Sequence, residues 1–410
     1  MKPQVPPFWV VRSAGLTDRG NCEADRSPNR VRPYTRSVAT RSPGHMEPPP
    51  NLPFHPRLSW PLVEPDCAPR QPIEIAGRTL ETTEVFNTYW RFAAARQAIY
   101  LARLAGESGP WSKDEILRDF RFTNVYRAAD RVSQFLIQEV IYGDDAPSDQ
   151  DSIVFRVLLY KMFNRISTWQ RLEQTLGPIE WRTYDYAQYA RVLDGAAEDG
   201  PIYSAAYLMP PPRLGEHGKH RNHLRLLEQM MHDGLARLVS STDSLKSVYE
   251  RLLSYPSIGR FLGFQYTIDL NYTPLMQGSE NEFVVAGPGA CDGIRKCFGP
   301  QSAGIEAEII SHMVDCQDKY FAGLGLTFSG LFGRPLHLID CQNLFCEVDK
   351  YARVAHPNAT GISGRTRIKQ KFRPNRDRLV AVFPPRWGLA SSELLPAPRR
   401  WRSGLSPPSR

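Results

Sequence analysis

The segment His337-Leu338-Ile339-Asp340-Cys341-Gln342-Asn343-Leu344-Phe345-Cys346-Glu347-Val348-Asp349-Lys350-Tyr351 carries the densest chemistry in the chain. Asp340, Asn343, Glu347 and Lys350 recur at three- and four-residue spacing, which puts them on one face of a helix. Polar groups sharing a face with apolar neighbours suit a site: Asp340 or Glu347 as a general base, Lys350 to hold a phosphate or orient a carboxylate. The same spacing also fits a plain Glu347–Lys350 ion pair, which stabilises a helix by only a few tenths of a kcal/mol. The two readings stay open on spacing alone.

A second constellation is Phe122-Thr123-Asn124-Val125-Tyr126-Arg127-Ala128-Ala129-Asp130-Arg131. Thr123 or Asn124 can cap a helix that places Arg127 and Asp130 together, and Asn and Arg side chains can bond base edges or phosphate. A cap plus a salt bridge is the structural alternative. A third is Tyr255-Pro256-Ser257-Ile258-Gly259-Arg260, a Pro-x-x-Gly turn between two helical patterns. Such a corner, with Gly259 supplying positive φ and Arg260 following, lets backbone N–H groups meet a DNA phosphate; an ordinary helix connection reads the same. A fourth is Ala286-Gly287-Pro288-Gly289-Ala290-Cys291-Asp292-Gly293, whose Gly287 and Gly289 bring backbone close to something. It follows the hairpin as an Asp-bearing loop does in helix–hairpin–helix DNA glycosylases, which makes Asp292 a candidate for lyase-type chemistry. Finally, Arg365, Arg367, Lys369, Lys371 and Arg373 alternate with other residues. In an extended chain they share one face, as an arm along phosphates would, or as a basic edge strand or localisation signal would.

Other chemistries find no support. No Gly-Lys-Ser/Thr run marks a P-loop, and neither G-x-S-x-G nor H-E-x-x-H occurs. The cysteines form no C-x-x-C, and His217, His220 and His223 sit among basic residues and glycine. Neither a metal nor another cofactor is expected.

The elements that must position these residues are helices. Val85, Tyr89, Phe92, Ala95, Ile99 and Leu101 define an amphipathic helix capped at Thr83 and closed by Gly106. Further helices are read from Ser112, through 123–143, over 151–169, and around 184–193, 221–239, 244–253, 260–271 and 304–321. Phe283-Val284-Val285-Ala286 is the best strand. The fold class is mainly α, a multi-helix domain akin to helix–hairpin–helix DNA glycosylases. It divides into a disordered Pro/Arg-rich tail (1–75), a helical domain (76–356), and a basic arm with a disordered tail (357–410).

Fifteen of the 35 prolines lie in residues 1–75, which argues against core there. The net charge is +8, but residues 355–410 alone sum to +10, so the basicity is a C-terminal property. That distribution suits a polyanion such as nucleic acid. No apolar run of membrane-spanning length occurs, so no membrane is expected, and the N-terminus makes a poor signal peptide. Seven cysteines argue against a disulfide scaffold and for a reducing compartment, nuclear or cytoplasmic. A protein partner for the N-terminal tail is a further expectation.

Taken in order, FRFTNVYRAADRVSQ, DSIVFRVLLYKMFNRISTW, PSIGRFLGFQYTIDLNYT, FVVAGPGACDGIRKCF and LIDCQNLFCEVDKYAR resemble the helical domain of phage 5-hydroxymethyluracil DNA kinases. That family is also described as alpha-glutamyl/putrescinyl thymine pyrophosphorylases. The resemblance covers roughly Phe86 to Arg353. It implies thymine-derivative chemistry in DNA, on the helical module without the family's P-loop kinase fold. By motif match it places functional positions on Asn124, Arg127, Asp130, Asp269, Gly287, Gly289, Asp340, Gln342, Asn343, Glu347 and Lys350. The expected function is a DNA-binding domain that recognises a hydroxymethylated pyrimidine or modifies it as a transferase. The competing expectations are a non-catalytic DNA reader and a glycosylase-like base-excision enzyme.

Overall fold

The computed structural model describes residues 72–206, 208–374, 379 and 381–389. The expected disorder of the N-terminal tail, apart from its last few residues, lies outside this range, as does that of residues 390–410. Two short antiparallel strands, β1 (Ile73–Ile75) and β2 (Arg78–Leu80), precede the helices. These are α1 (Glu84–Leu104), α2 (Glu115–Asp119), α3 (Arg131–Phe135), α4 (Gln150–Phe163), α5 (Ile166–Leu176), α6 (Tyr186–Asp199) and α7 (Lys219–His232). They continue with α8 (Leu235–Ser241), α9 (Leu245–Leu253), α10 (Arg260–Leu270), α11 (Pro288–Phe298), α12 (Glu306–Asp315), α13 (Gln317–Gly323) and α14 (Leu338–Ala355). The protein is mainly helical, and no described helix is long and apolar enough to cross a membrane.

Thr83 caps α1 as its sequence predicts, its hydroxyl accepting from the Val85 N–H. The cap of α2 is Asp114 rather than Ser112, with Asp114 accepting from the Leu117 N–H. Ser112 instead supports Asp114 by accepting from its N–H. Besides the 123–143 segment, three helices expected to be continuous are broken. The 151–169 pattern divides at Asn164, which takes a left-handed conformation (φ 49°) and closes α4. The 221–239 pattern divides at Gly234 (φ 75°). The 304–321 pattern divides at Cys316 between α12 and α13. Asn and Gly tolerate the left-handed region, so a sequence periodic in apolar residues turns there without losing its buried face.

Residues 283–286 are not a strand. The glycine-rich segment after them is helix α11, begun by Pro288 at its first turn, where proline's fixed φ is already helical. Its glycines serve helix packing. A Cβ on Gly293 would sit 2.1 Å from the Phe345 carbonyl oxygen, and one on Gly289 would sit 3.2 Å from Cys346 Sγ. Only glycine lets α11 approach α14 this closely. Lys296 of α11 completes the contact, its Nζ 3.1 Å from Asp349 Oδ1.

Helix α14 packs on α1, α11 and α12; α4 packs on α7, α8 and α10, and α9 lies against α10. The body extends past His356: Ala381 and Phe383 are buried, and the Val382 N–H donates to Gln134 Oε1 at 2.8 Å. The basic arm is thus followed by packed chain.

Candidate nucleic-acid interface

A cleft of about 980 Å³ opens between the α14 side of the molecule and the α4–α10 side. Nine cationic and four acidic side chains line it. The sequence-predicted residues brought together there are Arg127, Asp130, Asp269, Gly289, Gln342, Asn343, Glu347, Lys350, Arg365, Arg367 and Lys369. Asn124, Gly259, Arg260, Gly287, Asp292, Asp340, Lys371 and Arg373 are not among its lining residues.

The floor is an ion cluster. Arg127 Nη2 lies 2.7 Å from Asp269 Oδ1, and Lys161 Nζ lies 2.8 Å from Asp269 Oδ2. Arg127 also donates to Gln265 Oε1 at 3.1 Å and to the Tyr272 hydroxyl at 3.2 Å. Burial pushes the Asp269 carboxyl up, but the two cations more than reverse this and hold it below its ordinary value. Two cations around one carboxylate leave the floor with excess positive charge.

The wall is built by residues 122–131, which the sequence predicts as the start of a helix. Here side chains take over the backbone bonds. The Asn124 N–H donates to Asp130 Oδ1 at 2.7 Å, and Asn124 Nδ2 donates to the Ala129 carbonyl at 2.7 Å. Arg96 fixes the turn from α1, donating to the Thr123 carbonyl at 3.0 Å and to Asn124 Oδ1 at 2.6 Å. Regular helix therefore starts only at Arg131, after a 3₁₀ turn over Arg127–Ala129, and passes into a π-helical turn over Leu136–Ile141. Both ends of the Asn124 amide are engaged in this turn, which makes it a positioning residue.

Helix α14 docks against this wall. Glu347 Oε2 accepts from the Thr123 N–H at 3.0 Å and from Lys350 Nζ at 2.9 Å. Asn343 Nδ2 donates to the Thr123 hydroxyl at 3.2 Å and to the Asn124 carbonyl at 3.0 Å. Asp130 is half-buried on the cleft, and burial raises its carboxyl from 3.8 to about 7, with the Glu347 charge adding to the rise. A carboxyl poised there can give or take a proton near neutral pH.

Asp340 occupies a different place from the one its helical spacing suggests. It is buried at the start of α14, where Oδ1 accepts from the Arg127 N–H and Oδ2 from the His337 N–H, each at 3.1 Å. Burial, with help from Glu280, raises it to about 7. It joins the helix start to the wall and does not face the cleft. Asp292 is also buried. Its Oδ1 accepts from the Ser363 N–H at 2.7 Å and its Oδ2 from Arg365 Nη2 at 2.8 Å, and it bonds the Ser363 hydroxyl as well. Burial would raise this carboxyl; Ser363 and Arg365 instead hold it below the ordinary range. Asp292 anchors the arm.

The arm itself lies along the cleft edge. The Arg121 N–H donates to the Gln370 carbonyl at 3.0 Å, and the Phe372 N–H donates to the Asp119 carbonyl at 2.9 Å. Arg365, Arg367 and Lys369 line the cleft, whereas Lys371 turns to the Phe120 ring, 4.0 Å from its centroid. The five cations do not share one face.

The hairpin glycine also differs from expectation. Gly259 is extended (φ −84°) and caps α10, and the positive φ falls on Ser257 (66°). Gly259 and Arg260 are exposed, and nothing lies within 4 Å of a Cβ placed on Gly259. Gly287 is likewise extended, and a Cβ there would meet the Phe261 ring at 2.8 Å, so that glycine makes room for an aromatic side chain. His220 and His223 go separate ways: His220 Nε2 lies 2.6 Å from Asp194, and His223 Nδ1 lies 2.7 Å from the Tyr203 hydroxyl. Among the described residues no three His, Cys, Asp or Glu side chains are grouped to hold a metal.

Sequence reasoning missed Lys161, Arg131, Arg121 and Arg353, which also line the cleft. Lys161 had a signal: it is the one lysine in the otherwise apolar run Val157-Leu158-Leu159-Tyr160-Lys161-Met162-Phe163. A buried lysine needs a partner, and Asp269 supplies it.

No solved structure matches this chain. A 5-hmdU DNA kinase of Bacillus phage SP10 is 25% identical over 289 residues, which cover 65% of this chain and 45% of that protein. The chain thus spans just under half the length of this curated relative. The family model described as the 5-hmdU DNA kinase helical domain matches residues 83–361, more than half of the sequence, and the chain belongs to that family.

Proposed function

We propose that the cleft binds DNA carrying a 5-hydroxymethylated pyrimidine and receives that base flipped out of the stack. The observation that carries this reading is the excess of cations around a cleft whose wall holds Asp130, Glu347 and Lys350 together, in a member of this family. Phosphates supply the matching negative charge. Lys161 and Arg127 give the floor its charge, and Arg365, Arg367 and Lys369 follow the strand along the edge. The exposed Gly259 and Arg260, at the start of the helix that runs down to Asp269, offer the backbone a further contact.

Asp130 and Glu347 are the acid–base pair of this proposal. A carboxyl raised to about 7 can hydrogen-bond the hydroxymethyl oxygen in its protonated form, with Glu347 beside it and paired to Lys350 at 2.9 Å. Gln342 and Asn343 read the base edge from α14. Asp340, Asn124 and Asp292 position these groups. With no Gly-Lys-Ser/Thr run in the sequence, the phosphoryl-donor role falls outside the cleft proposed here. A second reading, a DNA reader without chemistry, draws on Glu347 Oε2 being taken up by both the Thr123 N–H and Lys350.

The test is binding of the purified chain to duplexes containing thymine, 5-hydroxymethyluracil or 5-phosphomethyluracil across a salt series, followed by nucleoside mass spectrometry. Preference for a modified base with a new nucleoside mass supports modification. Preference without a mass change supports the reader. Equal, salt-steep binding to all three removes the base-recognition proposal.

A further inference from the structure

A second chamber, of about 440 Å³, lies on the other side of Phe122 from the cleft. Its size is within the roughly 300–1,000 Å³ of small-molecule sites. Its walls are aromatic, including Trp111, Phe120 and Phe372. Three arginines line it, Arg96, Arg103 and Arg118, and no lining residue is a carboxylate. Arg96 is 8% exposed and spends Nε and Nη2 on the wall turn at Thr123 and Asn124. Its Nη1 is buried with no hydrogen-bond partner among the described residues. Arg103 lies over the Trp111 ring, 5.2 Å from its centroid, and the indole is held in place by donating to the Glu107 carbonyl at 2.7 Å.

We infer that this chamber is a second ligand site, for a planar heteroaromatic ring bearing an anionic group, of which a nucleotide is the matching class. The aromatic walls suit a ring's π-face, and Arg103, with the exposed Arg118, suits its phosphate, while Arg96 adds positive charge behind the wall. Three cations without a carboxylate disfavour an amine. The arm covers both sites, since Arg365 to Gln370 border the cleft and Phe372 and Pro374 border the chamber. The ligand is therefore either a free nucleotide or a nucleotide of the strand that follows the arm. The inference stands on the chamber's own residues and does not depend on the function proposed for the cleft.

Calorimetric titration of the full chain with 2′-deoxyadenosine 5′-monophosphate, 2′-deoxyadenosine and inorganic phosphate tests it. The nucleotide should bind at least about tenfold tighter than either fragment, because ring and phosphate act together. Arg103→Met and Trp111→Ala, each with an unchanged thermal melt, should weaken it by about tenfold. Arg367→Met, in the cleft and away from Phe122, should leave this binding in place, which locates it outside the cleft. No nucleotide binding at millimolar concentration overturns the inference, as does binding lost in Arg367→Met but kept in Arg103→Met. Adding a single-stranded oligonucleotide identifies the source. If the oligonucleotide displaces the nucleotide, the site takes a strand nucleotide; if both bind together, it takes a free one.

Discussion

Lys161 and Arg127 grip opposite oxygens of Asp269, so one buried carboxylate bridges cations from two separate parts of the chain. Asp269→Asn leaves two buried positive charges facing each other. Breaking a buried ion pair from one side costs about 3–5 kcal/mol. Lys161→Met removes one cation and leaves the Arg127–Asp269 pair, so it should cost clearly less. Urea denaturation of the two variants checks the order, and an Asp269→Asn protein as stable as wild type would contradict the cluster's role.

The arm makes a separable contribution to binding. Arg367 and Lys369 line the cleft, and Asp292 holds Arg365 instead of either of them. In Arg367→Gln/Lys369→Gln, DNA affinity should fall at low salt, and the log–log salt slope should flatten by about two units if both contact phosphate. Fluorescence anisotropy between 50 and 300 mM salt (about a sixfold range) measures this. A slope identical to wild type would take the arm off the DNA.

Asp130 gives a pH signature with a definite sign. Its carboxyl is raised from 3.8 to about 7 in the folded protein, so between those values the native state keeps a proton that the unfolded chain releases. Stability from this group is complete below about pH 4 and is lost as pH rises through about 7. Asp130→Asn mimics the protonated form and keeps an acceptor for the Asn124 N–H. Its unfolding free energy relative to wild type, from urea denaturation at each pH, should climb from pH 4 to pH 7 and then level, by on the order of 1–3 kcal/mol after allowing for water in the cleft. A difference that is flat with pH would mean Asp130 titrates normally.

Asp340 should behave as a positioning residue. Its two oxygens accept from the Arg127 and His337 N–H groups, and Asn can replace only one of them. Asp340→Asn should destabilise by about 1–3 kcal/mol while the folded fraction still binds DNA. Glu347→Gln keeps an acceptor for the Thr123 N–H but leaves Lys350 without its counter-charge, so it should also cost about 1–3 kcal/mol, and per folded molecule it should lower turnover about a hundredfold or more if Glu347 transfers a proton. Equal loss of turnover per folded molecule in both variants would return Asp340 to the chemistry.

Much of this architecture was readable from residue order, and the failures have physical causes. Apolar periodicity located the helical body, and Thr83 marked the start of α1. Periodicity could not see Asn164 or Gly234, where the chain turns while the buried face continues. The Gly287–Gly293 segment looked like a loop because glycine's cost in a helix is a local quantity. Its recovery comes from Phe345 and Cys346, far along the chain. The site divided in the same way. Glu347, Lys350 and Asn343 do meet the cleft, as their shared helix face suggested. Asp340 shares that spacing but lies in the first turn, where free backbone N–H groups claim a carboxylate. Asp130 gave no sign of its raised proton affinity, which arises from burial and from Glu347, a residue on another helix.

The contact of Gly293 with Phe345 has a mechanical meaning. With no side chain between them at this point, α11 and α14 pack backbone to side-chain-free backbone, a stiff joint that couples their positions as one lever would. Asp292 sits on that lever and is hooked to the arm, while Gln342, Glu347 and Lys350 ride on its other limb. A displacement of the arm would be transmitted with little slack to the residues that line the cleft on α14.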